Sequence, residues 1–210
     1  MRALKIIGMI AVIAAVAAGG FFFGYRSGSA QTETFRELLW RDLYASVLRT
    51  YIDPEYPDSG FAKFNLYDLD GDGIPELIVS GGDFHAAGAE IYTLYRGAVY
   101  CHGGFGSWGD FGYEPETGYI YSGYSGMGCH YASIHQIVNG QMIEIASFAD
   151  TMANFEHPED RCFEVNGEKV SEDEYNRAWE EYGYNTDDDF TARKYDVNED
   201  EIARVLSLPY

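Results

Sequence analysis

The chain has 210 residues and carries 34 Asp and Glu against 14 Lys and Arg, a formal net charge of -20. So acidic a surface repels nucleic acid and anionic headgroups and draws cations, either metal ions or basic partners. Acidity also keeps a domain soluble, so charge alone does not choose between these roles. With 18 Tyr, 13 Phe and 3 Trp, the composition excludes a disordered chain and suits a compact domain rich in β-structure and turns.

Arg2 and Lys5 precede an uncharged apolar run from Ile6 to Phe23. A run of that length just spans a bilayer as a helix, whereas cleaved signals usually have a shorter apolar core. Gly28-Ser29-Ala30 offers a small-residue cleavage site. The reading favoured is an uncleaved single-pass anchor, with a cleaved signal and a secreted product as the alternative. The basic residues place the N-terminus in the cytoplasm and everything after Phe23 outside. Residues 1–30 are thus expected to be the anchor or signal segment, and 31–210 one extracytoplasmic domain. The membrane is its first expected partner.

A helix is expected over residues 34–51. Thr34 and Glu37 have capping-box spacing, and Phe35, Leu38, Leu39, Leu43 and Val47 recur at helical intervals. Asp53-Pro54 stops it. The middle of the chain reads as antiparallel β. Strands are expected at 62–67 and 77–80, then 91–95 and 98–101 around Arg96-Gly97. Residues 131–138 and 141–148 flank Asn139-Gly140, the strongest short hairpin signal. A two-residue turn there sets Val138 opposite Gln141, His135 opposite Glu144 and Ile134 opposite Ile145. Asn166-Gly167 marks another hairpin, and the Gly-rich stretch 103–128 reads as loops and short strands.

Helix returns near the C-terminus. Ser171 and Glu174 make a capping box before Tyr175, Ala178, Trp179 and Tyr182, and Asn198 and Glu201 repeat the pattern before Ile202, Val205 and Leu206. No internal repeat is visible, which disfavours a propeller or solenoid. The expected class is α+β, an antiparallel β-sheet of hairpins with N-terminal and C-terminal helices, preceded by one N-terminal transmembrane or signal helix.

The segment Asp68-Leu69-Asp70-Gly71-Asp72-Gly73-Ile74-Pro75-Glu76 concentrates the chemistry. Asp68, Asp70, Asp72 and Glu76 stand at relative positions 1, 3, 5 and 9. Calcium takes six to eight oxygens in flexible geometry, and alternate carboxylates on a tightly turning backbone converge on one centre. Gly73 permits the sharp turn, the Ile74 carbonyl supplies a backbone oxygen, and Glu76 closes the shell directly or through water. Without a cation these carboxylates repel one another. The expected metal ligands are therefore Asp68, Asp70, Asp72, Ile74 and Glu76, and the expected cofactor is Ca2+. Magnesium usually keeps several waters, and no His or Cys lies in the loop to suit zinc or copper.

The loop resembles the calcium loops of EF-hand and dockerin proteins, but Val79 stands at position 12 where they carry an acidic ligand, and its flanks read as strands. It is more similar to the DxDxDGxxD/E loops of FG-GAP and VCBS-type repeats, in which a hairpin holds the ion. One copy does not carry their propeller fold. The wider pattern from Phe64 to Leu77 looks like that of secreted or membrane-anchored proteins of Gram-positive bacteria. That resemblance implies a location and a metal, not an activity.

Three cysteines, Cys101, Cys129 and Cys162, suggest a disulfide outside the cell, with Cys101 and Cys129 the favoured pair and any pairing open. Cys101-His102 and Cys129-His130 do not read as zinc sites, because neighbouring side chains on a strand point to opposite faces. His135 and Glu144 read as a cross-strand polar pair. Asp187-Asp188-Asp189 reads as a solvated acidic turn. Phe105, Trp108, Phe111, Tyr113, Tyr119, Tyr121 and Tyr124 read as sheet packing before they read as a sugar-binding groove. The functional expectation is a non-enzymatic, calcium-binding surface module that binds a cell-surface protein or glycan. The alternative is a hydrolase of cell-wall glycan or peptide using an acidic pair. No motif names catalytic residues.

Overall fold

A computed structural model describes residues 29–56, 61–82, 86–108, 111–152, 160–182 and 193–210, with side chains from Leu39 onward. The chain falls into two compact units, Met1–Leu39 and Trp40–Tyr210. The expected membrane segment lies almost wholly outside the described residues, and so does the Asp187–Asp189 turn. Among the described residues, no helix is long and apolar enough to cross a membrane.

The elements in order are α1 (Ser29–Arg49), β1 (Lys63–Tyr67), β2 (Glu76–Ser80), β3 (Ala89–Tyr95), β4 (Ala98–Phe105), β5 (Phe111–Glu114), β6 (Tyr119–Gly126), β7 (Cys129–Val138), β8 (Gln141–Met152), β9 (Arg161–Val165), β10 (Glu168–Val170), α2 (Glu172–Tyr182), β11 (Tyr195–Asp196) and α3 (Glu199–Leu206). Every strand pair is antiparallel, as expected for hairpins. The strands form two sheets rather than one. A five-stranded sheet runs β11-β1-β2-β3-β4 and a six-stranded sheet runs β10-β9-β8-β7-β6-β5.

Within Trp40–Tyr210 the layers follow from alternation along the strands. Phe64, Leu77, Val79 and Tyr92 face one way from the five-stranded sheet and meet Trp40, Tyr44 and Leu48 of α1 and Ile202, Val205 and Leu206 of α3. Ile78 and Ile91 face the other way and meet Tyr113, Ile120 and Ile137 of the second sheet. The far face of that sheet presents Tyr121, Ile134 and Phe148 to Tyr175 of α2, with Trp179 and Tyr182 packed alongside. Burial of each such side chain stabilises the fold by roughly 1.5–3 kcal/mol relative to exposure.

Local signals explain the boundaries. Ser171 and Glu174 form the expected capping box, with the Glu174 amide donating to Ser171 Oγ at 3.3 Å and the Ser171 amide donating to Glu174 Oε2 at 2.9 Å. Asn198 caps α3 by accepting from the Glu201 amide at 2.8 Å, while the Glu201 carboxylate turns to Arg204. Four two-residue turns have both residues at positive φ: Arg96-Gly97, Met127-Gly128, Asn139-Gly140 and Asn166-Gly167. This is the type I′ geometry that matches strand twist.

Three sequence expectations need correction. Helix α1 already includes Ser29, so Thr34 lies inside it and is not its cap. Among the described side chains its buried stripe is Trp40, Tyr44 and Leu48, while Leu39, Leu43 and Val47 are only partly buried and Phe35 and Leu38 lie outside the described side chains. The largest rings take the centre of the interface. Finally, Ile134 faces Ala146, not Ile145, because the register shifts between Ile134 and His135. The bulge lets Ile134 and Ala146 share the buried face against α2.

Candidate metal centre

The acidic loop is the turn of the β1–β2 hairpin. Tyr67 pairs with Glu76, so the last acidic residue of the motif is also the first residue of β2. Two apolar residues fix the loop from opposite sides. Leu69 is buried in the core between the sheets, and Ile74 is buried against the α1 and α3 side. Gly71 and Gly73 have φ of 72° and 84°, which lets the chain turn tightly between those anchors.

The carboxylates first organise the backbone around themselves. Asp68 accepts from the amides of Gly71 at 2.8 Å and Gly73 at 3.1 Å. Asp70 accepts from the Asp72 amide at 3.1 Å, and Asp72 from the Ile74 amide at 2.8 Å. Glu76 Oε2 accepts from the Leu69 amide at 2.9 Å. These bonds hold the side chains in place and leave further lone pairs on each carboxylate for a cation.

Asp68, Asp70 and Glu76 converge, each offering an oxygen within 4.8 Å of the others. Among the described residues this group has the chemistry to hold a metal ion. Asp70 is exposed and Asp68 half-buried, but Glu76 is only 3% exposed. Burial, then the neighbouring Asp70 carboxylate, pushes the Glu76 carboxyl up to about 9. Bringing a buried acid together with two others is unfavourable unless a proton or a cation compensates, and an all-oxygen donor set suits a hard cation. Of the five expected ligands, the structure groups three. Asp72 stands outside that group, with its Oδ1 turned to the Ile74 amide.

Two tyrosines far away in sequence support the loop. The Tyr113 hydroxyl donates to the Asp68 carbonyl at 3.4 Å, and the Asp68 amide donates to the Tyr210 hydroxyl at 2.7 Å. Burial, followed by the Asp68 and Glu76 carboxylates, pushes the Tyr113 phenol up to about 12. Nothing local in the sequence marks either residue, since they lie 45 and 142 positions from Asp68.

The other candidate residues fall elsewhere. All three cysteines are free thiols, which corrects the favoured Cys101–Cys129 bridge. Cys101 sits on β4 opposite Tyr92, and Cys129 on β7 between Gly126 and Thr151. His102 turns from Cys101 toward Thr93, with Nε2 2.9 Å from Oγ1. His135 does oppose Glu144, at 3.9 Å. Of the aromatic set, Phe105, Tyr113 and Tyr121 are core residues, whereas Trp108 is exposed.

No known protein family matches the chain, and no curated protein matches it. A solved structure described as that of a Xanthomonas type IV secretion system related protein matches at 16% identity over 57% of this chain, with a TM-score of 0.38. The chain spans 63% of that protein's length. A likeness this loose carries nothing about the site.

Proposed function

We propose that the chain is a membrane-anchored, extracytoplasmic calcium-binding module that acts by presenting a binding surface to a cell-surface protein or glycan. The observation that carries the metal reading is the grouping of buried Glu76 with Asp68 and Asp70 in a loop whose amides already orient each carboxylate. Asp72 and the Ile74 carbonyl complete the shell in this reading, since calcium takes more oxygens than three carboxylates supply singly. The location rests on Arg2, Lys5 and the uncharged run behind them. Calcium is the metal of choice because it is abundant outside cells and accepts irregular oxygen geometry.

Terbium luminescence tests the site. Tyr113 and Tyr210 both bond to Asp68, so they are placed to sensitise a lanthanide held there. Tyrosine excitation of the full chain should give terbium emission that calcium displaces and that Asp70→Ala abolishes. Emission unaltered by calcium or by Asp70→Ala would refute the assignment. Protease added to intact, wall-stripped cells tests the location: digestion of the domain is expected, and protection until lysis would overturn it.

A further inference from the structure

The two sheets have four outer edges among the described strands, and the sequence treats them unequally. An open edge strand offers unpaired N–H and C=O groups to another chain, so folds keep edges short or charged. Edge β11 is two residues long and contains Asp196. Edge β10 is three residues long and carries Glu168 and Lys169. Edge β5 is four residues long and ends on Glu114. Edge β4 is eight residues long, Ala98–Phe105. It lies in the stretch 97–109, which has no Asp, Glu, Lys or Arg although 23% of the chain is charged.

The hairpin fixes which groups of β4 face outward. The turn at Arg96-Gly97 has both φ values positive, and Tyr95 and Ala98 close it. In such a hairpin the closing residues exchange both hydrogen bonds, and hydrogen-bonded and non-bonded pairs then alternate. Ala98 and Tyr100 therefore turn their backbone groups to β3. Val99 and Cys101 turn theirs to the open edge. Tyr100, between them, is 46% exposed, and Cys101 is exposed.

We propose that this edge pairs with β4 of a second copy of the same chain, antiparallel about a two-fold axis at Tyr100. In that register Val99 of each copy exchanges two hydrogen bonds with Cys101 of the other, so the four outward groups of each Val99–Cys101 segment are satisfied at once. Tyr100 meets Tyr100 of the second copy as a non-bonded pair, where side chains lie closest. Antiparallel pairing of a strand with itself is self-complementary, as a two-fold interface must be. Only one long uncharged edge exists among the described strands of each chain, so the assembly closes at two copies instead of growing. The absence of carboxylates from the strand also matters, because two chains of charge -20 meet here without fixed like charges at the seam. The inference does not depend on the metal site.

Cross-linking of the full chain in mild detergent tests the register. In a background of Cys101→Ser, Cys129→Ser and Cys162→Ser, Tyr100→Cys places two thiols across the axis with Cα atoms about 4.5 Å apart, within disulfide range. Mild oxidation should convert most of the protein to a disulfide-linked homodimer, at least tenfold more than Lys169→Cys on the charged β10 edge. Adding Val99→Pro should cut the yield to that of the control, because it removes an outward donor and leaves the β3 ladder intact. Tyr100→Lys, which sets two ammonium groups across the axis, provides a second check by sedimentation should the proline variant misfold. Equal yields at positions 100 and 169, capture of a different protein at position 100 in cells, or a dimer indifferent to Val99→Pro and Tyr100→Lys would each overturn the proposal.

Discussion

The Asp68 amide donates to the Tyr210 hydroxyl at 2.7 Å, joining the first residue of the acidic loop to the segment that follows α3. The Tyr210 ring also meets Trp40 of α1 edge-on at 6.3 Å. One side chain thus links the loop to α1 and to the segment after α3. Tyr210→Phe keeps the ring and removes the acceptor. A neutral hydrogen bond contributes about 0.5–1.5 kcal/mol net, so calcium affinity should fall a few-fold with little change in overall fold. Calorimetric titration of the variant against wild type measures this, and unchanged affinity would show that the contact does not couple to the site.

Two glycines in like turns should respond differently to alanine. At Gly140, φ is +68° and an added Cβ would lie 2.3 Å from the Tyr95 Cβ. At Gly167, φ is +78° but nothing lies within 4 Å. Left-handed backbone costs an alanine about 1–2 kcal/mol in either place. Gly140→Ala carries the clash in addition, so its denaturation midpoint should fall clearly further than that of Gly167→Ala. Equal losses would contradict the packing of the β7–β8 turn against β3.

His135 supplies an acid-sensitive contact. Its Nδ1 is buried with no hydrogen-bond partner, and its ring lies edge-on to Phe105 at 5.2 Å. Burial lowers its pKa below the usual histidine value, against an opposing pull from Glu144. The folded state therefore prefers neutral His135. Its contribution is intact above the unfolded pKa of about 6.5 and is lost as pH falls from there through the depressed folded value. Between pH 7 and pH 5 the melting temperature should drop less in His135→Phe than in wild type. An equal drop in both would assign the acid sensitivity to other groups.

The sequence made the hairpins legible because their turns demand particular residues. Asn139-Gly140 and Asn166-Gly167 announce positive φ at both positions, and the pairing of Val138 with Gln141 and His135 with Glu144 follows from counting outward. Counting fails at the bulge after His135, where nothing in Ile134 or Ile145 marks the extra residue. Periodicity located α1 but misplaced its centre, since Trp40 and Tyr44 were outvoted by a leucine pattern one position away. The division into two sheets was not legible, because alternation shows that a strand has two faces and not which sheet each face meets.

The site was half legible for a related reason. Its carboxylates are contiguous, so spacing alone groups them. The burial of Glu76 and the support from Tyr113 and Tyr210 depend on tertiary packing that local sequence does not encode.

Calorimetric titration of the full chain with calcium at near-neutral pH tests the central claim most directly. The account predicts one site, with affinity on the order of 10⁻⁵–10⁻³ M because Val79 fills the position where tighter loops place an acid. Saturation at a hundredfold excess over Kd should stabilise the fold by about 2.7 kcal/mol, visible as a higher melting temperature. Glu76→Gln and Asp70→Ala should remove both the heat and the stabilisation, while Glu180→Ala, on exposed α2 surface, should keep them. No binding heat and an unchanged melting temperature at millimolar calcium would contradict the account.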